Sequence, residues 1–484
     1  MDFNSFHYAA FFLVMLSAVA FLRRRVTTRN ILLLIASYYF YGCWDWRFLG
    51  LLWLSTLFDY GCGRLIDGAG AASRKRVRGR RERLILAASV VCSLGLLGIF
   101  KYYGFFAASA ATALAQLGIK ADLPTLRVIL PAGISFYTFQ TMSYVIDVYR
   151  GEIPAERNLL SFALYVAFFP QLVAGPIERP GRLLPQLARP TQITWSGLCS
   201  GFYLICSGLF KKVVLADNLA KAVDAAYAQA DPAAATAMLA MYGFAIQVYC
   251  DFSGYTDIAR GSARCMGFEL TPNFNLPYFA TSPADFWRRW HMSLSTWVRD
   301  YIYIPLGGSH KGTVRTYVNI MVMMVLMGLW HGAGWVYVVW GAFHGVLLCI
   351  HRALRPWMER VLNPAGRITG LSWHFCRVVV CFHVLGIAAI VFRSRDLHQA
   401  GQMLGALGKI TLRSSGLPAV ESIVIVLACG LLLLSVQILQ QLRGDMYTLL
   451  RLPRPLRAVV YAGAILGFLA FGEYYGAQFI YFQF

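Results

Sequence analysis

The chain has 484 residues, of which 58% are hydrophobic and 14% charged, and its 44 Lys and Arg residues outnumber 23 Asp and Glu residues to give a formal net charge of +21. Ordinary soluble domains carry roughly 25% charged residues, so a water-soluble fold of this length would lack polar surface, and the lipid bilayer is the expected solvent. The basic residues stand in short runs between apolar stretches, as at Arg23, Arg24 and Arg25, which is the positive-inside pattern of cytoplasmic loops and argues against nucleic acid as a partner.

Apolar segments recur along the whole chain and predict an all-α polytopic membrane protein. The clearest segments lie at 7–22, 48–66, 85–106, 160–174, 235–250, 316–330, 335–350, 374–392, 420–440 and 457–471. A short segment at 30–43 and a segment at 127–148 that contains Gly and Pro are expected to cross as well. Because a crossing needs ~20 residues, we predict about 10–12 transmembrane helices.

The charges between the apolar segments predict the topology. The segment at 7–22 follows Asp2 and precedes the arginines, so we expect a first transmembrane helix with its N-terminus outside and no cleavable signal peptide. The loops expected to be cytoplasmic lie at 73–83, 149–157, 352–361, 393–395 and 443–457. The aromatic tail at 472–484 then lies on the outer face. We expect one integral membrane domain over 1–484, with a motif-bearing core at 127–350.

The stretch from Asp251 to Pro305 is not typical of a lipid-facing helix, because it combines apolar residues with many charged side chains and several prolines. A charged residue at membrane depth costs roughly 2.5–3.5 kcal/mol or more, and irregular backbone is tolerated there only inside protein or beside a water-filled cavity. We therefore expect re-entrant segments and the functional cavity in this stretch. For residues 284–300, an amphipathic cytoplasmic loop that lies on the membrane is the alternative.

The first candidate for chemistry is His331, which lies between two strongly apolar runs in the segment from Gly328 to Trp335. Burial should keep its imidazole neutral at pH 7 and able to accept a proton. The neighbouring glycines allow a substrate or another backbone to come close, and Trp330 and Trp335 are suited to wall a narrow channel. A core histidine bonded to a backbone carbonyl is the alternative interpretation.

The second candidate is the run from Trp287 to Trp297. The residues of interest in it are Arg288, Arg289, Trp290, His291 and Ser295. If the run is helical, Arg288, His291 and Ser295 share one face. The two arginines are suited to the phosphates of a coenzyme or a lipid head group. The alternative is a basic interfacial helix whose tryptophans lie among the lipid head groups.

Two further motifs are less specific. Asp251 and Asp257 follow an apolar run, so they either line a cavity or pair with the nearby arginines. The prolines of the segment 169–179 should break a helix, and we interpret that segment as structural. The 11 Cys residues are scattered without a CxxC pair, and no Walker A, HExxH or GxSxG motif occurs, so neither a metal site nor a bound cofactor is predicted.

Several of these motifs together resemble the membrane-bound O-acyltransferase family. They are Trp330-His331-Gly332, Trp290-His291-Met292-Ser293, the segments 251–257 and 169–176, and Tyr303-Ile304-Pro305-Leu306-Gly307-Gly308. They resemble most the bacterial branch that contains the alginate O-acetylation membrane protein and the teichoic acid D-alanyl transfer protein. That branch implies a multi-pass protein of the bacterial inner membrane whose helices surround a central channel.

The resemblance implies a role for each candidate. His331 would be the family's near-invariant histidine, deep in the channel, and His291 its second histidine, on the cytoplasmic side. The acyl donor in this branch is a cytoplasmic thioester, either an acyl-CoA such as acetyl-CoA or an acyl-carrier protein. A periplasmic or extracellular acyltransferase partner often completes transfer to a polysaccharide. Tyr481 in the tail is similar to a tyrosine proposed as an acyl relay, and an aromatic interfacial anchor is the other interpretation.

We therefore expect an O-acyltransferase with His331 as general base towards an acceptor hydroxyl. The expected catalytic side chains are His331 and His291. The expected substrate-binding side chains are Arg288, Arg289, Trp290, Ser295, Asp251, Asp257 and Trp330. Acetyl is the expected group and an exported polysaccharide the expected acceptor, while D-alanyl transfer from a carrier protein stays open. A transporter or flippase without chemistry also fits broken helices, and a scaffold that recruits a soluble transferase is a third alternative.

Overall fold

A computed structural model of the chain describes residues 1–68, 79–119, 129–361, 367–409, 418–474 and 479–480. The described residues form helices, turns and loops with no strand among them, so the predicted all-α class is confirmed. Most of the basic loop predicted at 73–83 lies outside the described residues, and so does the tail apart from 472–474 and 479–480.

Seven described helices are long and apolar enough to cross a membrane. They are Arg80–Gln116, Trp195–Tyr227, Thr313–His331, Trp335–Arg360, Thr369–Arg393, Val420–Arg443 and Arg454–Phe471. A shorter apolar helix covers Phe6–Leu22. Because a helix satisfies all of its own backbone hydrogen bonds, it is the element that such apolar runs form in lipid. The protein is therefore a multi-pass membrane protein.

The chain divides into two compact units, of which the first comprises Met1–Phe202 and Ala259–Thr271. Its helices are α1 (Phe6–Leu22), α2 (Val26–Asp45), α3 (Leu49–Asp67), α4 (Arg80–Leu97), α5 (Tyr103–Gln116), α6 (Ile134–Arg150), α7 (Leu159–Ala167) and α8 (Pro180–Leu187). The buried Arg29 side chain of α2 donates hydrogen bonds to the carbonyls of Leu187 and Arg189, at 2.7 and 2.8 Å. These bonds hold α2 against the end of α8.

The apolar segment predicted to cross at 160–174 does not form a crossing helix. At 1.5 Å per residue, the nine residues of α7 span about 14 Å, less than half of a hydrocarbon core of ~30 Å. The helix ends before Pro170, where the sequence predicted a break, and Phe162, Leu164 and Phe168 are fully buried. The apolar character of this segment therefore reflects burial inside protein, which hydropathy cannot distinguish from burial in lipid.

The second unit comprises Tyr203–Ile258 and Pro272–Phe484. It contains α10 (Asp217–Tyr227), α12 (Pro283–Arg289), α13 (Met292–Val298), α14 (Thr313–His331), α15 (Trp335–Val361), α16 (Arg367–Arg393), α17 (Leu397–Gly408), α18 (Val420–Arg443) and α19 (Arg454–Phe471). Two further helices, α9 (Trp195–Leu209) and α11 (Ala234–Cys265), contribute residues to both units.

Helices α14 and α15 form a close hairpin joined by the short turn at 332–334. A Cβ atom on Gly328 would lie 2.1 Å from the carbonyl oxygen of Tyr337, and one on Gly341 would lie 2.4 Å from the carbonyl oxygen of Met324. Small residues allow two transmembrane helices to approach this closely. Gly328 therefore admits another backbone, one of the two possibilities predicted for it, and the contact fixes the end of α14 against α15.

The stretch 251–305 becomes irregular later than the sequence predicted. Asp251 and Asp257 lie within α11, which continues without interruption to Cys265. Loops follow, then α12 and α13, which are separated at Trp290 and His291, and then a short π-helical segment at 299–303. The irregular backbone is therefore found from 266 onwards, because one long helix includes the acidic residues.

Candidate active site

His331 is the last residue of α14, and only 4% of it is exposed. The rings of Trp330 and Trp340 stand edge-on to its imidazole with centroid distances of 5.0 Å, and the ring of Phe392 does so at 5.3 Å. The prediction that Trp335 walls the channel is wrong, because this residue is 55% exposed. Trp340, five residues further along, stands beside His331 instead. The aromatic rings hold the imidazole in a water-poor environment.

A cavity of about 60 Å³ lies beside His331, and we name it the histidine cavity. Its walls come mainly from apolar and aromatic side chains, among them Tyr278, Phe286, Trp290, Trp340, His344 and Phe392. One water molecule needs roughly 10–15 Å³ of such space. The cavity therefore has room for a few heavy atoms and not for a long chain.

His344 is the second histidine of this cavity, and the sequence offered no motif that singled it out. It follows Trp340 by four residues on α15, so the two side chains share a helix face, with ring centroids 4.6 Å apart. His344 is 2% exposed, and its Nδ1 atom has no hydrogen-bond partner among the described residues. His331 and His344 therefore both contact the ring of Trp340.

His291 lies in a different environment. It stands between α12 and α13 with a left-handed φ of 42°, which a residue with a Cβ atom adopts only where its surroundings require it. Its fully buried ring lies 4.7 Å from the ring of Phe252 and 5.7 Å from that of Trp330, and burial lowers its pKa to about 3. The described residues that line the histidine cavity include Trp290 but not His291.

The predicted shared face of Arg288, His291 and Ser295 is wrong, because the chain leaves the helix after Arg289 and re-enters it after His291. The amide of Ser295 donates to the carbonyl of His291 at 2.9 Å, so Ser295 belongs to the first turn of the next helix. The residues between the two helices, Trp290 and His291, are neither Pro nor Gly, so the sequence contains no helix breaker that would predict this interruption.

The two neighbouring arginines differ in their availability. The Nε atom of Arg289 lies 3.1 Å from the carboxylate of Asp285, at the helical spacing that favours such pairs. Arg288 lies 3.6 Å from the same carboxylate, but its side chain is 73% exposed. Of the pair, Arg288 is therefore the one whose guanidinium is accessible to a ligand.

Asp251 and Asp257 pair with two lysines of the π-helical segment that joins α9 to α10. An oxygen of Asp251 lies 2.7 Å from Nζ of Lys212, and Asp257 forms a short ion pair with Lys211. The described residues lining the histidine cavity do not include either acid. Within the described ranges, no three His, Cys, Asp or Glu side chains are grouped so as to hold a metal ion.

The described end of the tail is held against α11. The amide of Ile480 donates to the second carboxylate oxygen of Asp251 at 2.9 Å, and the ring of Phe479 stacks on that of Tyr255 with centroids 4.4 Å apart. Both tail residues are buried. Tyr481 follows directly but lies outside the described residues, so its role stays a prediction.

Comparison with known proteins gives the class of the molecule. The model of the membrane-bound O-acyltransferase family matches residues 151–392, which contain every residue named above as lining the histidine cavity. The probable alginate O-acetylase of Azotobacter vinelandii is 42% identical over 371 residues, which is 76% of this chain and 70% of that protein. The peptidoglycan O-acetyltransferase of Helicobacter pylori is 33% identical over 76% of this chain and 71% of its own length.

A more distant relative is the teichoic acid D-alanyltransferase of Bacillus subtilis, which is 27% identical over 55% of this chain and 69% of its own length. The protein is an enzyme that transfers acyl groups. It belongs to the membrane-bound O-acyltransferase family, and the resemblance noted in the sequence is confirmed.

Proposed function

We propose that this enzyme transfers an acetyl group from a cytoplasmic thioester to a hydroxyl group of an exported or cell-surface polysaccharide. The names of two relatives, an alginate O-acetylase and a peptidoglycan O-acetyltransferase, support both the acyl group and the acceptor class. The histidine cavity supports the acyl group independently, because about 60 Å³ suits a two-carbon group.

His331 is the proposed general base, and its buried imidazole at the wall of this small cavity is the observation that carries the proposal. The imidazole accepts the proton of the acceptor hydroxyl while that oxygen attacks the thioester carbonyl carbon. The new C–O bond forms, the C–S bond breaks, and the leaving thiolate takes the proton from the imidazolium. General base catalysis of this kind typically contributes about 10²–10⁴ in rate.

His344 is proposed to assist at the carbonyl oxygen. A neutral imidazole carries one N–H group that can donate a hydrogen bond, and negative charge develops on this oxygen as the tetrahedral intermediate forms. His344 supports this role because its buried ring lines the same cavity as His331. His331 would then transfer the proton, and His344 would stabilise the oxyanion.

The donor is proposed to be an acyl-CoA or an acyl-carrier protein, and Arg288 is the accessible guanidinium for its head group. At the outer face of the bacterial inner membrane, Tyr481 or an acyltransferase partner would accept the acyl group and pass it on to the polysaccharide. The docking of Phe479 and Ile480 against α11 supports a relay in this part of the tail.

The test uses the full chain in lipid nanodiscs with radiolabelled acetyl-CoA. We expect the wild type to consume the thioester and to become labelled, His331→Ala to do neither, and Tyr481→Phe to consume without stable labelling. His398→Ala is the matched control, since His398 is an exposed histidine of the same unit.

Each alternative predicts a different result. Labelling that needs His331 but not Tyr481 would keep the enzyme and remove the relay. Transfer from a D-alanyl carrier protein in place of acetyl-CoA would replace the proposed acetyl group. No thioester consumption with either donor, even with a partner present, would favour the transporter.

A further inference from the structure

The described end of the C-terminal tail lies against a set of side chains that includes a buried carboxylate. We propose that Asp251 is a positioning residue whose carboxylate anchors the tail for acyl transfer, an inference that rests on the proposed function. We name Lys212, Asp251, Phe252 and Tyr255 the tail dock, because three of them contact the tail and Lys212 pairs with Asp251. The described residues that line the histidine cavity include none of the four.

The two oxygens of the Asp251 carboxylate contact different parts of the chain. One lies 2.7 Å from Nζ of Lys212, which also lies 2.8 Å from an oxygen of Asp217. The other accepts the amide proton of Ile480 at 2.9 Å. All three charged side chains are buried, and one lysine offsets only one of the two negative charges. The amide of Ile480 therefore stabilises a carboxylate oxygen that would be costly to leave unpaired.

The same face of α11 also offers aromatic rings to the tail. Tyr255 follows Asp251 by four residues, so the two side chains lie on one face of the helix. The ring of Phe479 stacks on that of Tyr255 with a centroid distance of 4.4 Å and an interplanar angle of 25°. It also lies 5.9 Å from the ring of Phe252. A backbone hydrogen bond at one residue and a ring contact at the residue before it together hold both the position and the orientation of the tail.

The tail is also held where it begins. The amide of Glu473 donates to the carbonyl of Val213 at 3.0 Å. Val213 adjoins Lys212 in the π-helical segment at 210–216. Such segments are rare and frequently lie at functional sites. This segment therefore supports the tail at two points, directly at its start and through the ion pair of the tail dock at Ile480.

A series of aromatic contacts connects the tail dock with the proposed base. The ring of Phe252 lies 4.7 Å from that of His291. The ring of Trp330 lies 5.7 Å from that of His291 and 5.0 Å from that of His331. Docking therefore brings the tail to the surroundings of His331, as is required if a tail residue is to accept the acyl group.

The transfer that the tail dock would serve needs no further reactant. The phenol oxygen of Tyr481 forms a bond to the acyl carbon while the C–S bond of the thioester breaks. The phenol proton passes to His331 and then to the leaving thiolate. Asp251 contacts none of these atoms and would act through the fraction of time that the tail is docked. With the tail released, water is the remaining acceptor, so the thioester is consumed without labelling of Tyr481.

The first experiment measures hydrogen exchange at the amide of Ile480, by mass spectrometry of the full chain in lipid nanodiscs. Exchange reports how often the tail is released. We expect Asp251→Ala to accelerate it about tenfold or more, as for the loss of a hydrogen bond to a charged group, and Asp251→Asn to have a smaller effect because it keeps an acceptor oxygen. Asp257→Ala is the matched control, since it removes the carboxylate of the same helix that pairs with Lys211, and exchange should then stay at the wild-type rate.

The second experiment measures the acetyl label on Tyr481 per thioester consumed. Ile480→Pro removes the amide donor and leaves the side chains of the tail dock unchanged, so a loss of labelling would not reflect a misfolded bundle. Ile480→Val keeps the N–H group and is its matched control. We expect Asp251→Ala and Ile480→Pro to lower this ratio about tenfold or more, Asp251→Asn to recover part of it, and Ile480→Val to stay close to the wild type.

Two results would overturn the inference. An unchanged exchange rate in Asp251→Ala would mean that the carboxylate does not hold the tail. An unchanged labelling ratio in both Asp251→Ala and Ile480→Pro would mean that docking does not serve the transfer.

Failure of the proposed function gives a different pattern. A wild type that consumed no thioester would reject the proposed reaction, and the exchange experiment needs no thioester. Faster exchange in Asp251→Ala would then still show that Asp251 anchors the tail.

Discussion

His331 and His291 are both buried histidines that contact the ring of Trp330, yet only one of them faces open space. His331 lies at a helix end that is fixed by glycine contacts, and the histidine cavity lies beside it. His291 is enclosed by aromatic rings in a left-handed backbone position. Both imidazoles are buried, so we propose that room for a substrate, and not burial, distinguishes the reactive histidine from the structural one.

The largest effect should come from His331→Gln. Glutamine keeps polarity and approximate volume but cannot accept the proton, so we expect the rate of acetyl transfer to fall by about 10²–10⁴. The unfolding midpoint should stay close to that of the wild type. Measurements of kcat and of thermal unfolding in nanodiscs test this prediction. A variant with wild-type kcat would show that His331 is not the general base.

His344→Phe should produce the next largest effect. Phenylalanine fills the space but removes the proposed donor to the oxyanion, so we expect kcat to fall by about 10²–10³ with little change in KM. Thioester consumption over a range of acetyl-CoA concentrations separates the two constants. An increase in KM alone would mean that His344 only shapes the cavity.

His291→Ala should instead reduce stability. It removes a fully buried ring from between Phe252 and Trp330, which we expect to cost about 1–3 kcal/mol. His291→Asn is the paired variant, because Asn tolerates a left-handed φ and keeps polarity. Activity per folded molecule should stay within a few-fold of the wild type. Lost activity at unchanged stability would assign His291 a catalytic role, as the family resemblance implied.

The smallest effect concerns pH. The folded protein holds the pKa of His291 at about 3, below its ordinary 6.5, so the unfolded chain takes up a proton first as the pH falls. This contribution to stability is complete above pH 6.5 and is lost towards pH 3, by about 1.4 kcal/mol per pH unit. The difference in unfolding midpoint between the wild type and His291→Asn should therefore be smaller at pH 5.5 than at pH 7.5. A constant gap would mean that the imidazole takes up its proton without unfolding.

The helices of this protein are predictable where lipid decides them. The apolar runs at 316–330 and 335–350 agree with α14 and α15, because a polypeptide in lipid has few alternatives to a helix. The same reasoning failed at 160–174, since α7 is buried in protein and is too short to cross. Hydropathy reports the absence of water and does not report what replaces it.

The candidate site was predictable only in part. His331 was recognisable as a polar residue between apolar runs with glycines beside it. His344 also interrupts an apolar run, but its place in the cavity depends on the register of α14 against α15, which Gly328 and Gly341 set in three dimensions. The break at His291 carried no local signal, and the lysine partners of Asp251 and Asp257 come from a distant segment.

The α14–α15 hairpin also has a consequence for how the enzyme is made. It carries His331, Trp340 and His344 on two helices joined by three residues, so these side chains come together through contacts that are local in sequence. Phe382 and Phe392, which help to close the cavity, belong to α16 and leave the ribosome later. At roughly 5–20 residues per second, the nascent chain holds both imidazoles without that wall for a few seconds. We therefore expect this hairpin to be the part of the newly made protein that most needs the shelter of the membrane insertion machinery.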